Sequence, residues 1–368
     1  MLSRRETLST ALKAVCGISA SVASPLGTLL ATPAAAQPPL RSPAEWTIPF
    51  GAALRDGPLA DEPDYRAAIV KHCRQVVGEG GLKWFDLRPS RERFVFDQAD
   101  KQLNFATGNG LELRGHTLVW YGAMPDWTKT IASAAEAERE LVGHIETVMG
   151  RYRGRIKSWD VINEPIPDDP ASRSDIRPSI WQQRLGESHI ALALRAAART
   201  DPAAKLIINE YDIEFVGDRF RRKRDAMLRL VRDLKLRNVP LHGIGLQGHL
   251  RGDLAIDREG LSAFVSEMRA LGLEVLVTEL DVVDDRLPAP PELRDMLVAA
   301  RAYEFLQAIH AAARPTAVLT WGITDKYSWV PLWFKRGDGQ PNRPLPLDEA
   351  YRPKPLMRVL EHFGQGPR

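Results

Sequence analysis

Two glutamates in this chain close apolar runs. One ends Trp159-Asp160-Val161-Ile162-Asn163-Glu164-Pro165, and the other lies in Leu276-Val277-Thr278-Glu279-Leu280-Asp281. Val161 and Ile162 favour a strand. Pro165 cannot donate to a sheet ladder, so the strand ends with Glu164 at its C-terminal edge. Glu279 and Asp281 are two residues apart, which places both on one side of a strand. Glycoside hydrolysis needs two carboxyl groups flanking a bond, one protonated to assist the leaving oxygen and one ionised to attack or stabilise the sugar carbon. Different surroundings separate their pKa values. A strand-end glutamate by itself reads first as a salt-bridge partner or metal ligand, so its neighbours carry the decision.

Gln247-Gly248-His249 ends the apolar run before that of Glu279, with Gln247 and His249 on a shared side. His249 is placed to bond Glu279 through one ring nitrogen and Asp281 through the other, which fixes Glu279 and favours its ionised form. His116 and Trp120 close Arg114–Trp120, Asn209-Glu210-Tyr211 closes another run, and Trp321 a further one with Trp329 soon after. Glu79, Lys83 and Trp84 mark an early one. Sugars present hydroxyls at the ring edge and C–H groups on the ring face, so they need polar side chains and flat apolar platforms in one cleft. The chain has 9 tryptophans, several of them at these ends. A metal site is the rival use of the acids and histidines. The 8 histidines are scattered without H-x-H or H-E-x-x-H spacing, so neither metal nor cofactor is expected. A serine nucleophile lacks its G-x-S-x-G.

These groups need elements that bring strand ends together. Eight strand candidates alternate with helical stretches: Phe50–Leu54, Gly81–Phe85, Glu112–Trp120, Ser158–Asn163, Lys205–Glu210, Gly243–Leu250, Glu274–Asp281 and Val318–Gly322. The helices are expected at Tyr65–Val77, Asp97–Gly108, Ala134–Tyr152, Pro178–Arg199, Arg219–Leu236, Arg258–Leu271, Pro291–Ala313 and Pro355–Phe363. Eight βα pairs predict an α/β fold, a (β/α)8 barrel forming one catalytic domain over 50–368, with functional groups at the C-terminal ends of the strands. No G-x-G-x-x-G follows the first strand, which counts against a dinucleotide fold. The basic run Arg219–Arg224 reads as the solvated start of a helix capped by Asp218, with Leu228, Leu230, Val231 and Leu234 as its apolar face.

Residues 1–36 read as an export signal. Arg4-Arg5 precede a mildly apolar stretch that ends in Ala34-Ala35-Ala36, the pattern of a cleavable twin-arginine leader. This predicts export to the periplasm or the medium through the twin-arginine machinery. Residues 37–49 are Pro-rich and read as a linker. The leader carries Arg4, Arg5, Lys13 and Glu6, so its removal lowers the formal charge from +3 to +1. A near-neutral chain has no electrostatic footprint for nucleic acid. Cys73 is then the only cysteine, so no internal disulfide forms. A monomer is expected.

The ordered motifs Lys83-Trp84, Arg114–Trp120, Trp159–Glu164, Gly243–Leu250, Thr278–Asp281, Trp321–Asp325 with Ser328-Trp329, and Tyr351–Pro355 resemble those of glycoside hydrolase family 10, the endo-β-1,4-xylanases. The resemblance implies a retaining hydrolase acting on a polysaccharide, xylan first among them. It implies Glu164 as acid/base, Glu279 as nucleophile, and Asn163 as the contact to the sugar 2-hydroxyl, with His249 and Asp281 orienting Glu279. It further implies His116, Trp120, Gln247, Trp321 and Trp329 as walls around the cleaved sugar, and Glu79 and Lys83 as contacts to the next sugar toward the non-reducing end; Tyr211, at its strand end, is read as a further substrate contact. The sequence departs from the family at Gly80, where Asn is usual, and at Tyr121-Gly122-Ala123, where His-Ser-Gln is usual. It also departs at Gly248, where Ser is common, and at Asp212, where Asn is common. The catalytic set is intact while part of the non-reducing-side wall is missing. The same chemistry on another β-glycan, or a sugar-binding protein without catalysis, are the alternatives.

Overall fold

The computed structural model describes residues 46–169, 171–172 and 174–365. The expected leader, 1–36, and most of the expected linker, 37–45, lie outside the described residues. The predicted linker ends before Pro49. Trp46 and Ile48 are buried, and the Thr47 and Ile48 amides both donate to the Gly364 carbonyl at the end of the last helix. Apolar side chains covered in this way belong to the domain they pack against.

Nine strand segments are present among the described residues: β1 Phe50–Leu54, β2 Gln75–Gly78, β3 Glu112–Val119, β4 Ser158–Asn163, β5 Lys205–Glu210, β6 Gly243–Leu246, β7 His249–Arg251, β8 Glu274–Val283 and β9 Val318–Thr320. All their pairings are parallel. β1 pairs with both β2 and β9, and β6 pairs with β8, so the sheet closes on itself. β7 pairs only with β8 and continues the stave that β6 begins. The result is the eight-stave (β/α)8 barrel, wrapped by helices such as Ala134–Arg151, Asp218–Leu236 and Pro291–Ala312.

Local chemistry explains most boundaries. The helix Ala134–Arg151 starts at Ser133, whose side chain accepts from the Glu136 amide, and Arg258–Ala270 starts at Asp257, which accepts from Gly260. Gly115 lets β3 approach Trp159 of β4. A Cβ there would lie 2.1 Å from the indole, and Trp159 is buried beneath it.

Several predicted elements differ. The second strand is Gln75–Gly78, not Gly81–Phe85, and the helix predicted to reach Val77 stops at His72. β2 is short and largely buried, so its apolar residues read as the tail of the helical pattern. Residues 84–87 form a short helix instead, with Trp84 in the core donating to the Leu118 carbonyl at 2.7 Å. The sixth stave breaks at Gln247-Gly248, where Gly248 takes φ +74°. The helix predicted over 178–199 is two, Ile180–Leu185 and Ser188–Thr200, parted by Gly186 at φ +63°. The Asp218 cap is absent. Gly217 holds the cap position without a side-chain bond, and Asp218 accepts from Arg221 at 2.9 Å.

Candidate active site

At the C-terminal rim of the staves lies a cleft of about 720 Å³. Glu79, Lys83, His116, Trp120, Asn163, Glu164, Tyr211, Gln247, His249, Glu279, Trp321 and Trp329 all line it. Asp281, the remaining predicted site residue, is buried behind His249.

Glu279 is held from three directions. His249 Nε2 lies 3.1 Å from Glu279 Oε2, and His249 Nδ1 lies 3.0 Å from Asp281 Oδ1. Asn209 Nδ2 donates to Glu279 Oε1 at 2.6 Å. His116 Nδ1, oriented by buried Asp160 at 3.0 Å, stands 3.9 Å from the same oxygen. Burial alone raises the Glu279 carboxyl. The hydrogen bond from His249 and the charges of His116 and His249 outweigh it and hold the group below the ordinary carboxylate value. For His249 burial lowers the imidazole, but Asp281 and Glu279 prevail and raise it well above an ordinary histidine. Each partner thus favours the charged form of the other. The other Asp281 oxygen accepts from Trp329 Nε1 at 2.6 Å, so one buried aspartate fixes both the ring behind Glu279 and an indole of the wall.

Glu164 has different company. Trp120 Nε1 donates to Oε2 at 2.8 Å, while Gln247 Nε2 and Asn163 Nδ2 donate to Oε1 at 3.0 and 3.2 Å. Its contacts are neutral amides, an indole and the Tyr121 hydroxyl, in contrast to the histidine on Glu279. Its backbone sits at φ +55°, which turns the chain out of the strand. Asn163 Oδ1 accepts from Asn209 at 2.9 Å and Gln247 at 3.3 Å, so one amide network joins the two carboxyls. Glu164 and Glu279 are acids in unlike surroundings at one rim.

The wall beyond them is mixed. Lys83 Nζ lies 5.0 Å from the centre of the Trp120 ring and 5.7 Å from that of Trp321. Trp321 meets His116 edge-on at 5.2 Å, and Trp329 meets His249 edge-on at 5.1 Å. Burial pushes the Glu79 carboxyl up to about 7, against the lowering influence of Arg55 and Lys83. Trp84, predicted to mark the rim, is 2% exposed and belongs to the core.

Residues outside the predicted set complete the site. Arg177 Nε donates to the Glu164 carbonyl at 2.9 Å, and its guanidinium bonds Asp168 at 2.8 Å and the Tyr211 hydroxyl at 3.1 Å. It also lies 4.6 Å from the centre of the Tyr121 ring. The basic run is more than a solvated face. Lys223 is 2% exposed, pairs with buried Glu210 at 3.0 Å, and sits 3.5 Å from the centre of the Tyr211 ring. Glu210 in turn accepts from the Ile166 amide at 2.9 Å, which pins the chain just after Glu164. Arg224 is also buried, and the helix packs through the predicted Val231 and Leu234 together with Ala226 and Met227, while Leu228 and Leu230 are only half-buried. Gly245 makes room for Asn209, since a Cβ there would lie 2.1 Å from its Oδ1. Only the strand-end position of Asn209 was a sequence signal, and Arg177 had none. Among the described residues no His, Cys, Asp and Glu cluster is arranged to hold a metal ion.

The glycosyl hydrolase family 10 model matches residues 41–362. The chain is 36% identical over 319 residues to endo-1,4-beta-xylanase A of Phanerodontia chrysosporium, covering 85% of this chain and 73% of that protein. It is 35% identical over 323 residues to endo-1,4-beta-xylanase B of Thermotoga neapolitana, covering 86% and 88%. Among solved structures, native xylanase 10B from Thermotoga maritima superposes with a TM-score of 0.78 at 31% identity, over 87% of this chain and 95% of that one. Xylanase 10B from Thermotoga petrophila RKU-1 in complex with xylobiose gives 0.77 at 31% identity, over 86% and 93%. Matched over almost all of the described barrel and superposing on such structures along most of its length, the chain belongs to glycosyl hydrolase family 10 and is a glycoside hydrolase.

Proposed function

We propose that this protein is an endo-acting, retaining hydrolase of β-1,4-xylosidic bonds in xylan. The observation that carries the reading is the unlike treatment of the two glutamates. Glu279 is held below the ordinary carboxylate value by its bond to His249, which favours the ionised form a nucleophile requires, while Glu164 is held by amides, an indole and a phenol beside the open cleft. Glu279 attacks the anomeric carbon as Glu164 gives its proton to the leaving oxygen. Glu164, now ionised, takes a proton from water as the water oxygen bonds the anomeric carbon, which breaks the bond to Glu279 and releases the sugar with its original configuration. Asn163 bonds the 2-hydroxyl of the reacting sugar. The relatives' names support xylan as substrate. The protein acts in the periplasm or the medium after twin-arginine export, a reading supported by Arg4-Arg5 and the Ala34–Ala36 run, and it acts there as a monomer.

A second substrate reading rests on Gly80 and Ala123, which thin the wall that holds the next sugar, and on Tyr121, which changes its chemistry. It keeps the chemistry and changes the polymer to another β-glycan. Reducing-sugar release across a panel of polysaccharides separates the two, with release expected highest on xylan and the product anomer retained. Release confined to another β-glycan transfers the substrate. Binding without hydrolysis across the panel leaves a sugar-binding protein.

A further inference from the structure

We propose that Trp333 is the platform of an additional sugar subsite, taking a pyranose unit of the same polysaccharide chain beyond the unit held between Glu164 and Glu279. The inference rests on the reading of this cleft as a polysaccharide hydrolase. Trp333 lines the same cleft as the two glutamates, yet it is 76% exposed, while Trp321 at the centre is 8% exposed. Leu332 beside it is 66% exposed. A large apolar surface left bare at the mouth of a polar cleft marks a binding surface. Its continuity with the cleft floor specifies an occupant that is already in the cleft.

The platform is built to stay in place. Trp333 ends the short helix Val330–Trp333. That helix follows directly on Trp329, whose indole is bonded to Asp281. The Leu332 amide donates to the Trp329 carbonyl at 2.9 Å, and the Phe334 amide to the Val330 carbonyl at 2.8 Å. Phe334 meets Trp329 edge-on at 5.9 Å and carries the Arg251 guanidinium 4.9 Å from its ring centre. Asn342 Nδ2 bonds both the Phe334 carbonyl at 3.1 Å and Asp284 Oδ1 at 2.7 Å. A tryptophan has two side-chain torsions to fix, so an indole on a pinned segment stacks at small entropic cost. The face of a pyranose ring is a sheet of C–H groups, which fits an aromatic plane better than it fits hydrogen-bonding side chains. At the other side of the cleft, Gly80 after β2 and Ala123 after β3 offer no side chain able to bond a sugar.

The test uses the full chain and its Trp333→Ala and Trp333→Phe variants, with xylo-oligosaccharides of increasing length. In wild type kcat/KM rises with length. In W333A the ratio of kcat/KM between long and short oligosaccharides falls about three- to tenfold, mainly through KM, the size expected of one aromatic contact. W333F restores most of it, and the cleavage pattern of the longest substrate shifts in W333A. A ratio unchanged in W333A overturns the subsite. So does a wild-type protein that self-associates through this surface and becomes monomeric in W333A with its length dependence intact. Absence of hydrolysis of every oligosaccharide by wild type, while another β-glycan is cleaved, rejects xylan rather than the platform, and the same length series in that glycan then decides it. Circular dichroism of W333A establishes folding, and the length dependence of W333F decides the matter if W333A fails to fold.

Discussion

Two sides of the same rim are built differently. On the side of β4, β5, β7 and β8, each group is held by another. Asp281 fixes His249 and Trp329, His249 and Asn209 fix Glu279, and Asn163 and Gln247 tie Glu279's network to Glu164. Past the ends of β2 and β3, beyond Trp120, the wall is Glu79, Gly80, Lys83, Tyr121, Gly122 and Ala123, where three positions carry no side chain longer than a methyl and Lys83 and Tyr121 are held mainly by ring contacts. The difference separates two tasks. Charge development on two carboxyls needs fixed hydrogen-bond partners in place before reaction. Recognition of a neighbouring sugar adds affinity contact by contact and tolerates loss of one or two.

The largest effects are expected on the networked side. Glu279→Ala abolishes turnover, and added azide restores part of it with an inverted product, as read by product anomer analysis. Failure of rescue removes Glu279 from the nucleophile's role. Glu164→Ala lowers kcat about 10²- to 10⁴-fold on substrates with poor leaving groups, and much less on activated aryl glycosides. Equal loss on both contradicts an acid/base.

Support residues come next. His249→Ala lowers kcat about 10²-fold and raises the acidic limb of the pH profile, because Glu279 loses the group that holds its carboxyl down. A loss of rate without a shift of that limb places His249 in packing alone. Gly245→Ala pushes on buried Asn209 and Thr278 and is expected to cost about tenfold in kcat together with about 1–3 kcal/mol of stability, checked by kinetics beside thermal unfolding.

The smaller effects belong to the thinner wall. Ala123→Gln, at a backbone φ of +47° that the native alanine already tolerates, is expected to lower KM for xylo-oligosaccharides about fivefold, one hydrogen bond's worth. Gly80→Asn gains less, since a Cβ there meets Asp86 Oδ2 at 3.0 Å and Gln98 Nε2 at 3.1 Å. Asp86 is also already bonded to the Gly81 amide. Equal gains refute this ordering. With its carboxyl raised to about 7, Glu79 ionises as pH rises through neutrality and becomes a better acceptor for sugar hydroxyls. KM is therefore expected to fall modestly from about pH 6 to pH 8, and Glu79→Gln flattens the profile. The raised carboxyl also contributes stability that is fully present below about pH 4.5 and is lost as pH rises to about 7, because the folded value lies above that of an unfolded glutamate.

The alternation of short apolar runs with helical stretches was enough for the barrel, and chain breaks such as Pro165 were enough for the rim. Those signals are local, because a strand's end is written in the residues that stop it. The pairing of His249 with Glu279 and Asp281 was legible for the same reason, as spacing of two along neighbouring strands sets side and height. β2 was misplaced because a short strand buried on both faces carries no alternation to separate it from the helix before it.

The fold, the family and the two carboxyls with their histidine thus follow from residues read along the chain. Who holds Glu164 emerges only when the chain is folded. Arg177 reads as an ordinary charged residue in a long connection until folding lays it between Tyr121 and Tyr211 and against the Glu164 carbonyl. Lys223 reads as one cation in a solvated run until the helix turns it inward onto Glu210. Trp333 reads as one more apolar residue until the loop after β9 is pinned and leaves it facing the cleft. The physical reason is common to all three. Their roles depend on contacts made by elements far apart in the chain, and no local spacing records which face of a helix or loop will meet them.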